Sequence, residues 1–180
     1  MISLPSFKRI KKVRFVAFFV LLQLNFGFRI LAQPDLPPRQ LTVNATQELH
    51  FGTFSLESAG SSGGTVTVDW QGSRTSSGQI ILMADAPLHQ AAVFEINLCQ
   101  GRSVVITYSP TIVLLGSSGG SLTLNIGPTE KGPNGTSFQV DTDCSFITQL
   151  RVGGTLIVGS NGANPAGTYS GSFSITFNQQ

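Results

Sequence analysis

The sequence predicts an all-β domain, an antiparallel β-sandwich of about 7–10 strands that follows an N-terminal signal peptide. Three observations predict it. Apolar residues recur at every second position in many segments, as Val66 and Val68 do between Thr65, Thr67 and Asp69. That is the period of a strand with one buried face. Gly, Ser, Asn and Pro cluster between these segments, where chain reversals need them. Only 11% of residues are charged, which excludes coiled coils and long helical bundles, and no segment keeps a helical period.

The chain opens on a basic run, Lys8, Arg9, Lys11, Lys12 and Arg14, followed at once by the apolar stretch FVAFFVLL at 15–22 and a mixed segment up to Ala32. A positive region, a short apolar region and a small residue at the end describe a secretory signal peptide, here residues 1–32 with the cut after Ala32. A transmembrane anchor is the alternative. The uninterrupted apolar core is short for it, since a span needs roughly 20 residues. Residues 33–40 hold three Pro and read as an extended lead-in without a core of its own. Residues 41–180 form the single sandwich domain.

Within that domain the elements follow in order. Leu41, Val43 and Ala45 alternate with Thr42 and Asn44, and Val66 and Val68 follow. Further strands are read at 79–83, 92–98, 103–108, 111–115 and 150–158. Leu122, Leu124 and Ile126 alternate with Ser121, Thr123 and Asn125. Phe173, Ile175 and Phe177 close the chain, alternating with Ser, Thr and Asn. Residues 168–177 read as one long terminal strand. Loops are read at 58–64, 73–78, 116–120, 127–135 and 159–167. A weak internal echo links SGGTVTV at 62–68, SGGSLTL at 118–124 and GGTLIV at 153–158. It reads as one turn-and-strand grammar used three times.

Charge excludes nucleic acid as a partner. Six of the eleven Lys and Arg lie in the first 29 residues, and the rest of the chain carries five basic against nine acidic groups, a net of −4. An acidic body offers no footprint for DNA or RNA. Cys99 and Cys144 are the two cysteines of a chain that reads as exported, and one disulfide is the simplest pairing. Closing a loop of about 45 residues would be worth roughly 4 kcal/mol in the chain-entropy model. A redox or metal site is the alternative, without a CxxC or a suitably spaced His to support it.

Chemistry is thinly represented. His50 and His89 are the two histidines, with Asp85 four residues before His89, and there is no GxSxG elbow. Asp141 and Asp143 flank Thr142; on an extended strand both carboxylates would share a face. Two ligands fall well short of the roughly six to eight that Ca²⁺ takes. The expectation is a non-catalytic protein with no cofactor and no metal. Trp70 is a candidate ligand-contacting aromatic, or else a residue at the rim of the core. Asn44 and Asn134 begin glycosylation-type sequons.

The chain's end says more. A terminal strand carrying Tyr169, Phe173, Ile175 and Phe177 must pair at the sheet or become a liability. Residues 33–46 have the form of a donor strand, and equally of an ordinary first strand.

Phe51-Gly52-Thr53-Phe54, the segment from Gly64 to Asp69, Ala92-x-Phe94-x-Ile96, the run from Gly153 to Gly159 and the closing run from Gly167 to Phe177 together resemble the bacterial secreted domain-of-unknown-function family 4402. The resemblance covers about residues 40–178 and rests on the order and spacing of these segments. Through that family the chain is distantly similar to spore-coat-protein-U-like pilins of chaperone–usher systems. The resemblance implies an immunoglobulin-like sandwich, export to the bacterial periplasm, cell surface or medium, and self-association or chaperone/usher-type assembly partners. It supplies no catalytic or binding residue. The expected function is a structural or assembly subunit of the surface, pilin-like, with a donor or acceptor terminal strand. A monomeric secreted module that binds a glycan or another surface protein is the alternative.

Overall fold

The computed structural model describes residues 40–58, 62–98, 102–143 and 145–180. The expected signal peptide, its cut after Ala32, most of the Pro-rich lead-in and both Cys99 and Cys144 lie outside the described residues.

Among the described residues there is no helix. Thirteen strands follow in chain order: β1 (Thr42–Gln47), β2 (Phe54–Leu56), β3 (Gly64–Val68), β4 (Arg74–Gly78), β5 (Ile80–Leu82), β6 (Ala92–Asn97), β7 (Ser103–Tyr108), β8 (Thr111–Gly116), β9 (Ser121–Thr129), β10 (Ser137–Gln139), β11 (Thr148–Val158), β12 (Tyr169–Ser170) and β13 (Ile175–Gln179). All their pairings are antiparallel. The count exceeds the expectation because several short strands lack enough residues to show a period. Residues 73–78, expected as a loop, are mostly β4. Its Arg-Thr-Ser-Ser-Gly run carries no apolar residue, and β4 belongs to the sheet by pairing with β3.

An eight-stranded sheet has the order β1-β6-β11-β9-β8-β12, with β3 on β11 and β4 on β3. A three-stranded sheet has the order β10-β7-β13, and β2 pairs with β5. The long strand β11 organises the large sheet. Its first half pairs with β6, and its second half lies between β9 and β3. The three echo segments of the sequence are therefore neighbours. Leu124, Leu156 and Val66 stand in register with their side chains inward, and Asn125, Thr155 and Thr67 stand outward beside them. Hydroxyls bond along this outer row, as between Thr67 and Thr155 at 2.9 Å.

One core joins the two larger sheets. Val66, Val68, Ile96, Leu150 and Val152 of the large sheet and Val104 and Ile106 of β7 are fully buried in a single cluster. The small sheet thus covers the large one, the layering expected of a sandwich. β7 is the middle strand of its sheet, which is why its inward side chains lose all contact with water.

The long terminal strand expected over 168–177 is corrected. Tyr169 pairs with Gly116 of β8 in the large sheet, whereas Ile175 pairs with Tyr108 and Phe177 with Ile106 of β7 in the small one. The chain changes sheets between Ser170 and Ile175, and Phe173 lies on the crossing. Gly171 makes the departure possible. A Cβ there would stand 2.7 Å from the Leu114 side chain and 3.1 Å from the Val113 carbonyl. Period two reports which face a residue occupies and is blind to which sheet it joins.

Candidate strand-accepting edge

Strand β13 ends the small sheet. It pairs with β7 on one side, and among the described residues nothing pairs with its other side. In an antiparallel strand alternate N–H and C=O groups point to each edge, so this outer edge carries unsatisfied donors and acceptors. Thr176 and Asn178 face solvent, while Ile175, Phe177 and Gln179 face inward and are half-buried.

Across from β13 stands Phe94 of β6. Its ring lies 6.0 Å from Phe177, tilted by 53°, and 6.2 Å from Phe173 in an edge-on arrangement. Phe94 is half-buried although Ala92 and Ile96 on the same face are buried. The cause is its neighbour on the sheet edge. Phe94 pairs with Ala45 of β1, whose single methyl covers little. β1 itself is mostly exposed, with only Val43 half-buried. Val43, Phe94, Phe173, Ile175 and Phe177 thus flank one incompletely covered side of the core, with the open edge of β13 beside it.

The other residues singled out from sequence sit elsewhere. Trp70 is half-buried on the β3–β4 turn, which the Asp69 carboxylate closes by accepting from the Ser73 N–H at 2.8 Å. His50 accepts the Gly52 N–H on Nδ1 at 2.9 Å and forms a backbone bridge with Gln90. No hydrogen bond joins His50 or His89 to Asp85 among the described residues. Asp141 and Asp143 lie in a turn rather than a strand, so their carboxylates do not share a face. Asp141 accepts the Asp143 N–H and Asp143 accepts the Ser145 N–H, both at 2.9 Å. The Ser145 backbone and hydroxyl hold the Asp143 carboxyl below the ordinary carboxylate range. Asn134 acts as a strand substitute: the Tyr108 N–H donates to its Oδ1 at 3.0 Å and its Nδ2 donates to the Tyr108 carbonyl at 2.8 Å.

Sequence reasoning missed Arg74, which it placed in a loop. Its guanidinium donates to the carbonyls of Phe51 (3.0 Å), Thr53 (3.2 Å) and Met83 (2.6 Å). These contacts tie the paired strands β2 and β5 to β4. Gly52 is the residue that admits it, at φ +71° with the Arg74 guanidinium where a Cβ would stand.

The model of the family described as Domain of unknown function (DUF4402) matches residues 41–178. The chain belongs to this family. No curated protein and no solved structure matches it. The DUF4402 match begins at Leu41, one residue before β1, and ends within β13. Both strands that flank the uncovered side therefore belong to the family domain. Among the described residues of this DUF4402 protein, no helix is long and apolar enough to cross a membrane.

Proposed function

We propose that this chain is an exported, non-catalytic surface subunit of pilin-like kind, and that β13 accepts a strand from an assembly partner. The observation that carries the reading is the outer edge of β13, which pairs with nothing among the described residues, next to half-buried Phe94, Ile175 and Phe177. A strand laid along that edge would satisfy its backbone groups and cover the apolar side chains in alternate pockets, the logic of strand addition. Each large side chain that passes from half-buried to buried adds about 1 kcal/mol. The basic and apolar start of the sequence supports export, and an immunoglobulin-like sandwich in the periplasm or on the surface of a bacterium is the setting. The partner is a second copy or an assembly chaperone.

Electrophoresis of the native surface fraction, unboiled and boiled, tests the reading. A ladder at multiples of the subunit mass that collapses on boiling is the expected result. A single monomer band in both lanes overturns it.

A further inference from the structure

The chain holds two Asn-Gly pairs, Asn134-Gly135 and Asn161-Gly162. Such a pair carries its own chemistry. A backbone nitrogen that has lost its proton can attack the side-chain carbonyl carbon of the asparagine before it and close a five-membered ring. Glycine hinders this least, because no side chain crowds the nitrogen and the backbone has wide freedom. The fold decides whether each pair can react.

Space and water do not separate the two pairs. All four residues are exposed, and a Cβ at Gly135 or at Gly162 would meet nothing within 4 Å. Hydrogen bonding separates them. Asn134 accepts the Tyr108 N–H on Oδ1 at 3.0 Å and donates from Nδ2 to the Tyr108 carbonyl at 2.8 Å. The Gly135 N–H donates to the Ile106 carbonyl at 2.9 Å. The electrophile is thus turned toward β7, and the nucleophile's proton is held by the same strand. Three bonds must break before the nitrogen can reach the carbon.

At Asn161 neither reactant is held. Among the described residues its side-chain amide makes no hydrogen bond, and the Gly162 N–H finds no acceptor. The Ser160 carbonyl accepts the N–H groups of Ala163 at 2.9 Å and Asn164 at 2.8 Å, so the turn is built without them. A single turn on an exposed loop opens at low cost. Asn164 anchors the loop instead, accepting the Gly159 N–H and donating to the Ser121 carbonyl. It is spared the reaction because Pro165 follows it, and a proline nitrogen has no proton to lose.

We propose that Asn161 is a site of spontaneous conversion to aspartate and isoaspartate in the folded protein, and that the fold protects Asn134. The Gly162 nitrogen gives its proton to solvent and bonds to Asn161 Cγ, the Cγ–Nδ2 bond breaks, and ammonia leaves. Water then opens the ring. Attack at Cγ yields aspartate, and attack at the main-chain carbonyl yields isoaspartate. Either product places a new carboxylate between β11 and β12, and isoaspartate adds one carbon to the backbone of the Ser160 turn.

The test incubates freshly purified full-length protein at mildly alkaline pH, folded and in urea. Peptide mass spectrometry reads the replacement of the amide by an acid, and an isoaspartate-specific methyltransferase labels the rearranged product. In urea the two asparagines convert at similar rates. In the folded protein Asn161 converts about tenfold faster than Asn134 or more, since only Asn134 must first break its bonds. Gly162→Ala slows the reaction at Asn161 severalfold in the folded protein, while Asn134 keeps its wild-type rate. Equal folded rates at the two sites overturn the proposal. So does an Asn161 that converts in urea and stays intact in the folded protein, or a tenfold gap already present in urea, which would assign the difference to flanking sequence.

Discussion

Phe94 and Phe177 meet ring to ring at 6.0 Å, one from an edge-side strand of the large sheet and the other from the last strand of the small one. The contact joins the two layers at the side of the core that is least covered. It belongs both to the fold, which it closes, and to the edge where a partner strand would lie.

Removing either ring should destabilise the domain by about 2 kcal/mol, less than for a fully buried Phe because each is half-buried. The double variant Phe94→Ala/Phe177→Ala should fall short of the sum by roughly 0.5–1.5 kcal/mol, the coupling of an aromatic pair. Urea unfolding of the four proteins gives the cycle. Additive losses would mean that the rings do not support one another.

Ile175 is half-buried and next to the open edge. Ile175→Asp should cost the monomer roughly 2 kcal/mol, from lost apolar contact and a partly desolvated carboxylate. It should abolish assembly, because an added strand would bury that charge. Circular dichroism and the unboiled gel, run on the same sample, separate the two effects. Wild-type assembly in this variant would contradict the account.

Arg74 serves three carbonyls with a planar fork. Arg74→Ala should lower stability by roughly 1–3 kcal/mol. Arg74→Lys should recover only part, since one ammonium cannot reproduce the guanidinium's geometry. Thermal unfolding reads both.

Asn134 offers Tyr108 one acceptor and one donor. Asn134→Asp replaces the donor with a carboxylate oxygen facing the Tyr108 carbonyl, at a cost of about 1 kcal/mol near neutral pH. Below a pH of about 4 the protonated acid can donate again, and the deficit should shrink. Unfolding curves at the two pH values check this.

The Asp143 carboxyl titrates below its ordinary value of 3.8 because the Ser145 N–H, then the Ser145 hydroxyl, bond its ionised form. A lowered folded pKa means that the unfolded chain binds the proton first on acidification. The stabilisation is therefore complete above the unfolded value and is lost as pH falls through the folded one. Asp143→Asn should flatten the acid limb of stability against pH in that window. An unchanged limb would show that the turn contributes nothing.

The parts of the fold legible in the sequence are those where one face is dry. Ser103–Tyr108 was readable to the residue because Val104 and Ile106 are completely buried and their neighbours are not. The alternations around Val66 and Leu124 were readable for the same reason. β4 was not, because its residues face solvent or a neighbouring carbonyl and carry no apolar rhythm. The split of the terminal strand was hidden because Tyr169, Phe173, Ile175 and Phe177 keep one period across a change of sheet. The aromatic side chains of the β13 edge were visible as a pattern. Its openness was not, since an unpaired edge depends on where the chain's other strands go.

The most direct measurement is amide hydrogen exchange across Ile175–Gln179, in the isolated monomer and in the assembled form. An accepted strand satisfies the outward N–H groups of β13, so those amides should exchange markedly more slowly in the assembly, with β10 unchanged on the opposite edge of the sheet. Equal exchange in the two forms would show that the joint lies elsewhere and would contradict the assignment of β13 as the accepting edge.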